Sequence, residues 1–192
     1  MLKNIILSKL FSIGAIKYGT FTLKSGEITD LYFDLRIMIS YPNVYKLIYQ
    51  YICYLYPTLF NDINLITGVN FGGIPLSSYI SNEWNISQIY VRDTLKTYGT
   101  QKQIEGDYTL NKDLLIIEDV ITTGLSTGEV LEVVKSKDAK IIGVGCIVDR
   151  SGKILDFGVK LKSLIKFDFP TYKPEECPLC EKGLEVTKPG SR

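Results

Sequence analysis

Two adjacent carboxylates, Glu118 and Asp119, follow the apolar run Leu114-Leu-Ile-Ile117 and precede Thr122-Thr123-Gly124-Leu-Ser126-Thr127. A continuous apolar run marks a strand buried on both faces. Open parallel sheets place ligands just beyond the carboxyl ends of their strands. The turn that follows offers free amides at the start of a helix, where a phosphate is favoured. Thr122, Thr123 and Ser126 add hydroxyl donors, and Gly124 lets the backbone approach closely. Glu118 and Asp119 sit one turn back, where they would repel a phosphate but accept hydrogen bonds from sugar hydroxyls. A sugar phosphate satisfies both halves. A strand ending in Glu-Asp also serves as a helix cap or as a Walker-B-type metal ligand. The Walker reading needs Gly-x-x-x-x-Gly-Lys-[Ser/Thr], which the chain lacks, and no lysine follows the turn Gly68–Gly73.

The sequence contains no histidine. Ser-His-Asp and Cys-His nucleophiles and histidine metal sites are thereby excluded. Chemistry must run on carboxylates, lysines, arginines, hydroxyls and backbone amides. The net charge of +1 is far from that of a nucleic-acid binder. No stretch reaches the roughly 18 apolar residues of a membrane span. The N-terminal segment, interrupted by Lys3, Asn4, Ser8, Lys9 and Ser12, reads as an amphipathic helix and not as a signal peptide. A cytoplasmic protein with reduced thiols is expected. Cys53 and Cys146 stand inside apolar segments as core residues. Cys177 and Cys180 form one Cys-x-x-Cys, half of a four-ligand zinc site or a plain turn.

These groups need elements to position them. A chain of 192 residues predicts a single domain. Helical spacing covers Leu2 to Ile13 and Val44 to Leu55. Strand-like segments cover Thr20 to Lys24 and Ile28 to Leu35, joined by Ser25-Gly26. Then strands and helices alternate: a strand at Asn64 to Thr67, the turn to Gly73, a helix from Ile74 to about Ser81, and a strand at Ile86 to Arg92. After Leu114 to Ile117 come a helix from about Ser126 to Lys135 and a strand from Lys140 to Val148. This alternation predicts an α/β fold with an open, mainly parallel sheet flanked by helices. Asp93 to Lys112 is polar and carries little periodicity, which predicts either a solvated connector or a mobile cover over a charged ligand.

The segment from Leu114 to Ser126 resembles, position by position, the phosphoribosyl pyrophosphate (PRPP) signature of type I phosphoribosyltransferases. The resemblance implies that Glu118 and Asp119 hold the ribose hydroxyls, that Thr122, Thr123, Gly124 and Ser126 hold the 5-phosphate, and that Gly72 and Gly73 line the pyrophosphate pocket. Tyr18-Gly-Thr-Phe-Thr-Leu-Lys24-Ser-Gly26 and Leu31-Tyr-Phe33-Asp34-Leu-Arg36 look like the N-terminal motif of orotate phosphoribosyltransferases. In that family the lysine matching Lys24 reaches the substrates, and the aromatic matching Phe33 packs by orotate. Arg92-Asp-Thr-Leu-Lys96-Thr-Tyr-Gly99-Thr-Gln-Lys102 resembles the catalytic loop, whose lysine, here Lys96, reaches pyrophosphate in the partner subunit of a homodimer. Asp149-Arg150 matches the arginine that recognises orotate.

The resemblance thus implies a small N-terminal hood over about residues 1–40, a core over about 60–168 and a tail over 170–192. It also implies Mg²⁺ held mainly through PRPP, with no certain protein ligand. Asp93 stands where the family usually has a second lysine, a departure that implies weaker PRPP binding, compensation by Lys102, or a retired enzyme. Tyr98 stands where many bacterial relatives have histidine, and Gly72 where some have lysine. A transferase for another base, or a regulator that senses PRPP, is the alternative expectation; neither an added nucleic-acid module nor a basic face is visible.

Overall fold

The computed structural model describes residues 2–22, 26–59, 61–92, 103–108, 113–167, 172–181 and 186–187. Its centre is a six-stranded sheet in the order β5-β4-β3-β6-β7-β8. These are β3 (Leu65–Gly68), β4 (Ser87–Val91), β5 (Ile104–Glu105), β6 (Asp113–Ile121), β7 (Lys140–Asp149) and β8 (Leu161–Lys166). Every neighbouring pair is parallel except β4 with β5. The expected open α/β architecture is therefore present. Leu114 to Ile117 on β6 are buried on both faces, as their unbroken apolar run requires.

Successive strand side chains point to opposite faces, so each face has its own core. On one face Leu115, Ile117 and Ile147 pack with α1 (Leu2–Ser12), α2 (Pro42–Leu55) and α3 (Asn70–Trp84). On the other, Leu114, Ile116 and Val144 pack with Val130, Leu131 and Val134 of α4 (Leu125–Lys135). α2 starts on Pro42, whose fixed φ suits a first helical position. The hood is a second sheet, β2-β1-β9, with β1 (Ile16–Thr22), β2 (Ile28–Phe33) and β9 (Val186–Thr187).

Several boundaries differ from those the sequence suggests. β1 begins at Ile16, because Ile16, Lys17 and Tyr18 pair with Phe33, Tyr32 and Leu31; a register shift before Phe21 hides the alternation. After β2 the chain enters a 3₁₀ helix, Leu35–Ser40, which buries Leu35 and Met38. The expected turn through Gly73 is already helix from Asn70 onward. β6 continues through the two carboxylates to Ile121, since Val120 and Ile121 still pair with Val148 and Asp149. Within the long polar stretch, Ile104 and Glu105 form a short ladder with Val91 and Tyr90. The tail, expected as a separate segment, contributes β9 to the hood, parallel to β1. Lys24 and the catalytic-loop residues Asp93, Lys96, Tyr98, Gly99 and Lys102 lie outside the described residues.

Candidate active site

Glu118 and Asp119 are consecutive on β6 and so serve two different helices. Glu118, only 7 % exposed, accepts a hydrogen bond at Oε2 from Thr127 Oγ1 of α4 at 3.2 Å. Asp119 is half-buried, accepts from the Val120 amide at 2.8 Å, and lies against Gly72 of α3. Burial raises the pKa of both. For Glu118 it acts with the neighbouring Asp119 charge to push the value up to about 9, while for Asp119 the hydrogen bond with Glu118 and the Val120 amide oppose the rise, followed by the nearby Arg36 guanidinium. The pair therefore titrates as a unit, and burial favours its singly protonated form, which can both donate and accept hydrogen bonds.

That shift has a measurable consequence for stability. Glu118 ordinarily titrates near 4.5, so between that value and about 9 the folded chain binds a proton the unfolded chain does not. The stabilisation is complete below the lower value and is lost as pH rises through the upper one. Glu118→Gln, which cannot ionise, should match wild type in mild acid and melt several degrees above it at mildly alkaline pH, each kcal/mol moving Tm by about 2–4 °C. Parallel melting curves for the two proteins across this window would contradict the assignment.

The turn after β6 forms a cup. Gly124 has φ +79°, and a Cβ there would stand 2.9 Å from Phe157 Cζ and 3.1 Å from Leu155 Cδ1, so only glycine fits. Thr122 and Thr123 are exposed, and Ser126 is half-buried. Together with Glu118 and Gly124 they line a cavity of about 140 Å³ at the N-terminus of α4. Thr123 Oγ1 accepts from the Leu125 amide at 3.4 Å. The cup adjoins a broader cavity, about 1010 Å³, that also takes in Asn70 and Arg92.

Gly72 and Gly73 lie in the first turn of α3 because that turn is pressed onto β6. A Cβ on Gly72 would fall 2.1 Å from Asp119 Oδ2, and one on Gly73 would fall 2.3 Å from the Ile117 carbonyl oxygen. Any side chain at Gly72 must displace the carboxylate. Misplacement of a reacting geometry by about 1 Å costs up to 10²-fold, so Gly72→Ala should lower kcat/KM for PRPP by about tenfold or more. An unchanged kcat/KM would show that the carboxylate position is immaterial. Just before the glycines, Asn70 holds φ +46°, a left-handed conformation uncommon outside glycine.

Phe33 of the hood and Arg150 at the end of β7 meet across the cleft, with Arg150 Cζ 5.4 Å from the Phe33 ring centroid. Arg150 Nη1 donates to the Leu31 carbonyl at 3.3 Å and Nη2 to Thr29 Oγ1 at 3.4 Å. Burial lowers its pKa, and Asp30 partly offsets this. The Arg150 amide donates to Ile121 O at 2.9 Å, tying the base of this arginine to the strand that carries the carboxylates. Arg92, a candidate anion ligand from the sequence, is ion-paired with Glu105 at 2.6 Å. Its charge is already met by that partner in this conformation.

Three contributors escaped the sequence reading. Arg36 pairs with Asp34 at 2.7 Å and acts electrostatically on Asp119. Thr127 holds Glu118, and its place on the buried stripe with Val130, Leu131 and Val134 is a periodicity signal the sequence did carry. Thr29, fully buried, receives Arg150. Cys53, Cys146, Cys177 and Cys180 are all free thiols, with Cys146 buried and Cys53 half-buried as their apolar surroundings imply. The Cys180 amide donates to Cys177 Sγ at 3.4 Å, which is a turn geometry.

The phosphoribosyl transferase domain family matches residues 36–165, about two thirds of the chain. An orotate phosphoribosyltransferase from Caldanaerobacter subterraneus subsp. tengcongensis is 33% identical over 192 residues, covering 100% of this chain and 99% of the relative. The chain belongs to the orotate phosphoribosyltransferase family. A member from Thermotoga maritima is likewise 33% identical, over 93% of this chain and 94% of its own length. The crystal structure of orotate phosphoribosyltransferase from Aeropyrum pernix superposes with a TM-score of 0.74 at 27% identity, covering 87% of this chain and 94% of the other. The family domain begins at Arg36, whereas the full-length relatives also span the strand bearing Phe33.

Proposed function

We propose that this chain transfers the 5-phosphoribosyl group of PRPP to orotate, giving orotidine 5'-monophosphate and pyrophosphate, as a cytoplasmic homodimer that uses Mg²⁺. The observation that supports the reading is the presence of two half-sites on neighbouring strands: a carboxylate-and-amide cup suited to a ribose 5-phosphate, and a cation over an aromatic ring. The cation is Arg150 on Phe33, and the Arg150 backbone is bonded to Ile121 of the strand that carries the cup. Orotate is a planar anion, and a guanidinium over a ring matches both properties.

In the reaction the anomeric carbon loses its bond to pyrophosphate and gains one to the ring nitrogen, which gives up its proton to the departing pyrophosphate or to water. Glu118 and Asp119 orient the ribose through its hydroxyls. Thr122, Thr123, Gly124 and Ser126 hold the 5-phosphate, and Gly72 and Gly73 border the pyrophosphate. Phe33 and Arg150 position orotate, joined by Lys24. Lys96, with Arg92 and Lys102, neutralises the leaving group. Catalysis of this kind is positioning plus electrostatic stabilisation, for which no histidine is needed. Mg²⁺ is accommodated by the chemistry of the donors: the buried Glu118–Asp119 pair supplies hard carboxylate oxygens that call for a cation or a proton. Among the described residues no group of three or more acidic, Cys or His side chains is placed to hold a metal. When bound it would supply a charge sink and a template for PRPP. Free thiols throughout fit a reducing compartment, and no described helix is long and apolar enough to cross a membrane.

The test is a spectrophotometric assay of orotate consumption with PRPP and Mg²⁺, run beside adenine, hypoxanthine and uracil. Orotate alone should be consumed. Turnover of another base in its place, or of none, would overturn the reading.

A further inference from the structure

The face of the sheet under α2 and α3 carries a vacancy that the transferase chemistry does not use. Two successive inward positions of β7 are glycines, Gly143 and Gly145. Glycine weakens a strand interior, and it ordinarily marks close approach by a ligand or another backbone. Here no atom of a described helix comes within 4 Å of the place a Cβ would take at either glycine. A Cβ at Gly143 would meet only Lys160 O at 3.2 Å and Leu115 Cδ1 at 3.8 Å. One at Gly145 would meet only Ile117 Cδ1 at 3.3 Å and Ile116 O at 4.0 Å. The space above the glycines is an apolar cavity of about 180 Å³, roofed by Leu76 and Ile80 of α3 and by Tyr56 beyond α2. Protein interiors are close-packed, so a void of this size on a glycine floor is unusual. A dry apolar cavity of roughly 150 Å³ accepts benzene.

The rim is not apolar. Lys162 of the edge strand β8 and Lys160, just before it, border the cavity, both exposed. Lys162 pairs in register with Gly145, and its Nζ stands 4.3 Å over the Tyr56 ring. A cation is thereby fixed at the opening, above the glycine floor. We propose that this cavity is a second ligand site, separate from the Arg150 cleft, for a small apolar carboxylate: one ring or a chain of about six carbons inside, with its carboxylate at Lys162 and Lys160. Ile117 forms a wall of the site and immediately precedes Glu118, so the occupant would lie one residue from the carboxylate pair.

Phenylacetate is the probe, followed by ¹H–¹⁵N NMR shifts of the Gly143 and Gly145 amides. Because phenylacetate could also enter an arginine site, the titration is run on Arg150→Ala as well as on wild type. Both should bind with Kd on the order of 1 mM, as expected for a ligand of this size. Lys162→Glu reverses the charge at the rim on an exposed edge strand and leaves the core intact. It should weaken phenylacetate by about tenfold while leaving neutral toluene unaffected. Gly145→Val, which fills the floor, should abolish binding of both. Shifts confined to residues around Arg150, absence of shifts at the two glycines, or equal phenylacetate affinity in wild type and Lys162→Glu would each overturn the proposal. These readouts are independent of turnover, so they stand apart from the orotate reaction.

Discussion

Arg150→Ala should raise the KM for orotate by roughly 10²-fold while leaving the KM for PRPP within about threefold of wild type. The magnitude follows from the guanidinium's burial. Its pKa is lowered by desolvation, so its charge is held at a cost that an anionic partner offsets. Removing such a half-buried cation leaves the substrate carboxylate unpaired, which typically costs about 2–5 kcal/mol. Arg150 also ties the hood to the core through Leu31 O and Thr29 Oγ1, so a loss could reflect a loosened hood. Two companions separate the effects. Thr29→Val deletes the Nη2 acceptor and keeps the guanidinium; it should change orotate KM by less than about threefold. Arg150→Lys keeps charge and loses the planar fork, and should fall between, at about tenfold. Steady-state kinetics with each substrate varied decides it: equal increases in both KM values would show that Arg150 serves the fold and not orotate.

This prediction also marks the boundary of what the sequence discloses. The strand β6 was legible because burial on both faces forces the unbroken apolar run Leu114 to Ile117, and α4 because its stripe recurs at helical spacing. β8 was not. Leu161-Lys-Ser-Leu-Ile-Lys166 lies at the sheet edge, where Lys162 and Lys166 face solvent and dilute the apolar signal. The start of α3 was misplaced for a related reason. Gly72 and Gly73 have low helix propensity and read as a turn, yet the contact of this first turn with Ile117 O and Asp119 leaves room for nothing larger. Tertiary packing overrode local preference there.

The site shows the same division. Residues within one segment, from Glu118 to Ser126, could be assigned together because a strand–turn–helix places them by local geometry alone. Contacts between distant segments could not. Nothing near Arg150 announces that its guanidinium reaches Thr29 and Leu31, and nothing near Arg92 announces Glu105 as its partner. The carboxylates were placed at the strand's end, whereas β6 runs on to Ile121; the difference decides that Glu118 faces α4 while Asp119 faces α3. Consecutive residues of a strand cannot share a face, and that constraint splits the pair between two helices.

Lys96→Ala should lower kcat by roughly 10²–10³-fold with melting temperature unchanged. Lys96 lies outside the described residues, in the polar stretch between β4 and β5, and its assignment rests on the loop's likeness to the family's catalytic loop. The physical reason for a large effect is that negative charge grows on the departing pyrophosphate, and a preorganised cation there acts only in the transition state. Asp93 makes the loss more severe, because the position after Arg92 adds a negative charge where a second cation would help. Arg92 cannot substitute freely while Glu105 holds it. If the loop works across a two-fold dimer, Lys96→Ala and Arg150→Ala lie in different halves of each composite site. Subunits of the two variants, both strongly impaired when orotate is held near its wild-type KM, are mixed and allowed to exchange; they then form heterodimers in which one site carries both mutations and the other carries none. An equal mixture should recover about a quarter of wild-type activity, since half the dimers are mixed and each has one intact site. Without subunit crossing, every site keeps one lesion and the mixture stays as inactive as its parts. Wild-type turnover by Lys96→Ala alone would remove the lysine from the mechanism, whatever the dimer does.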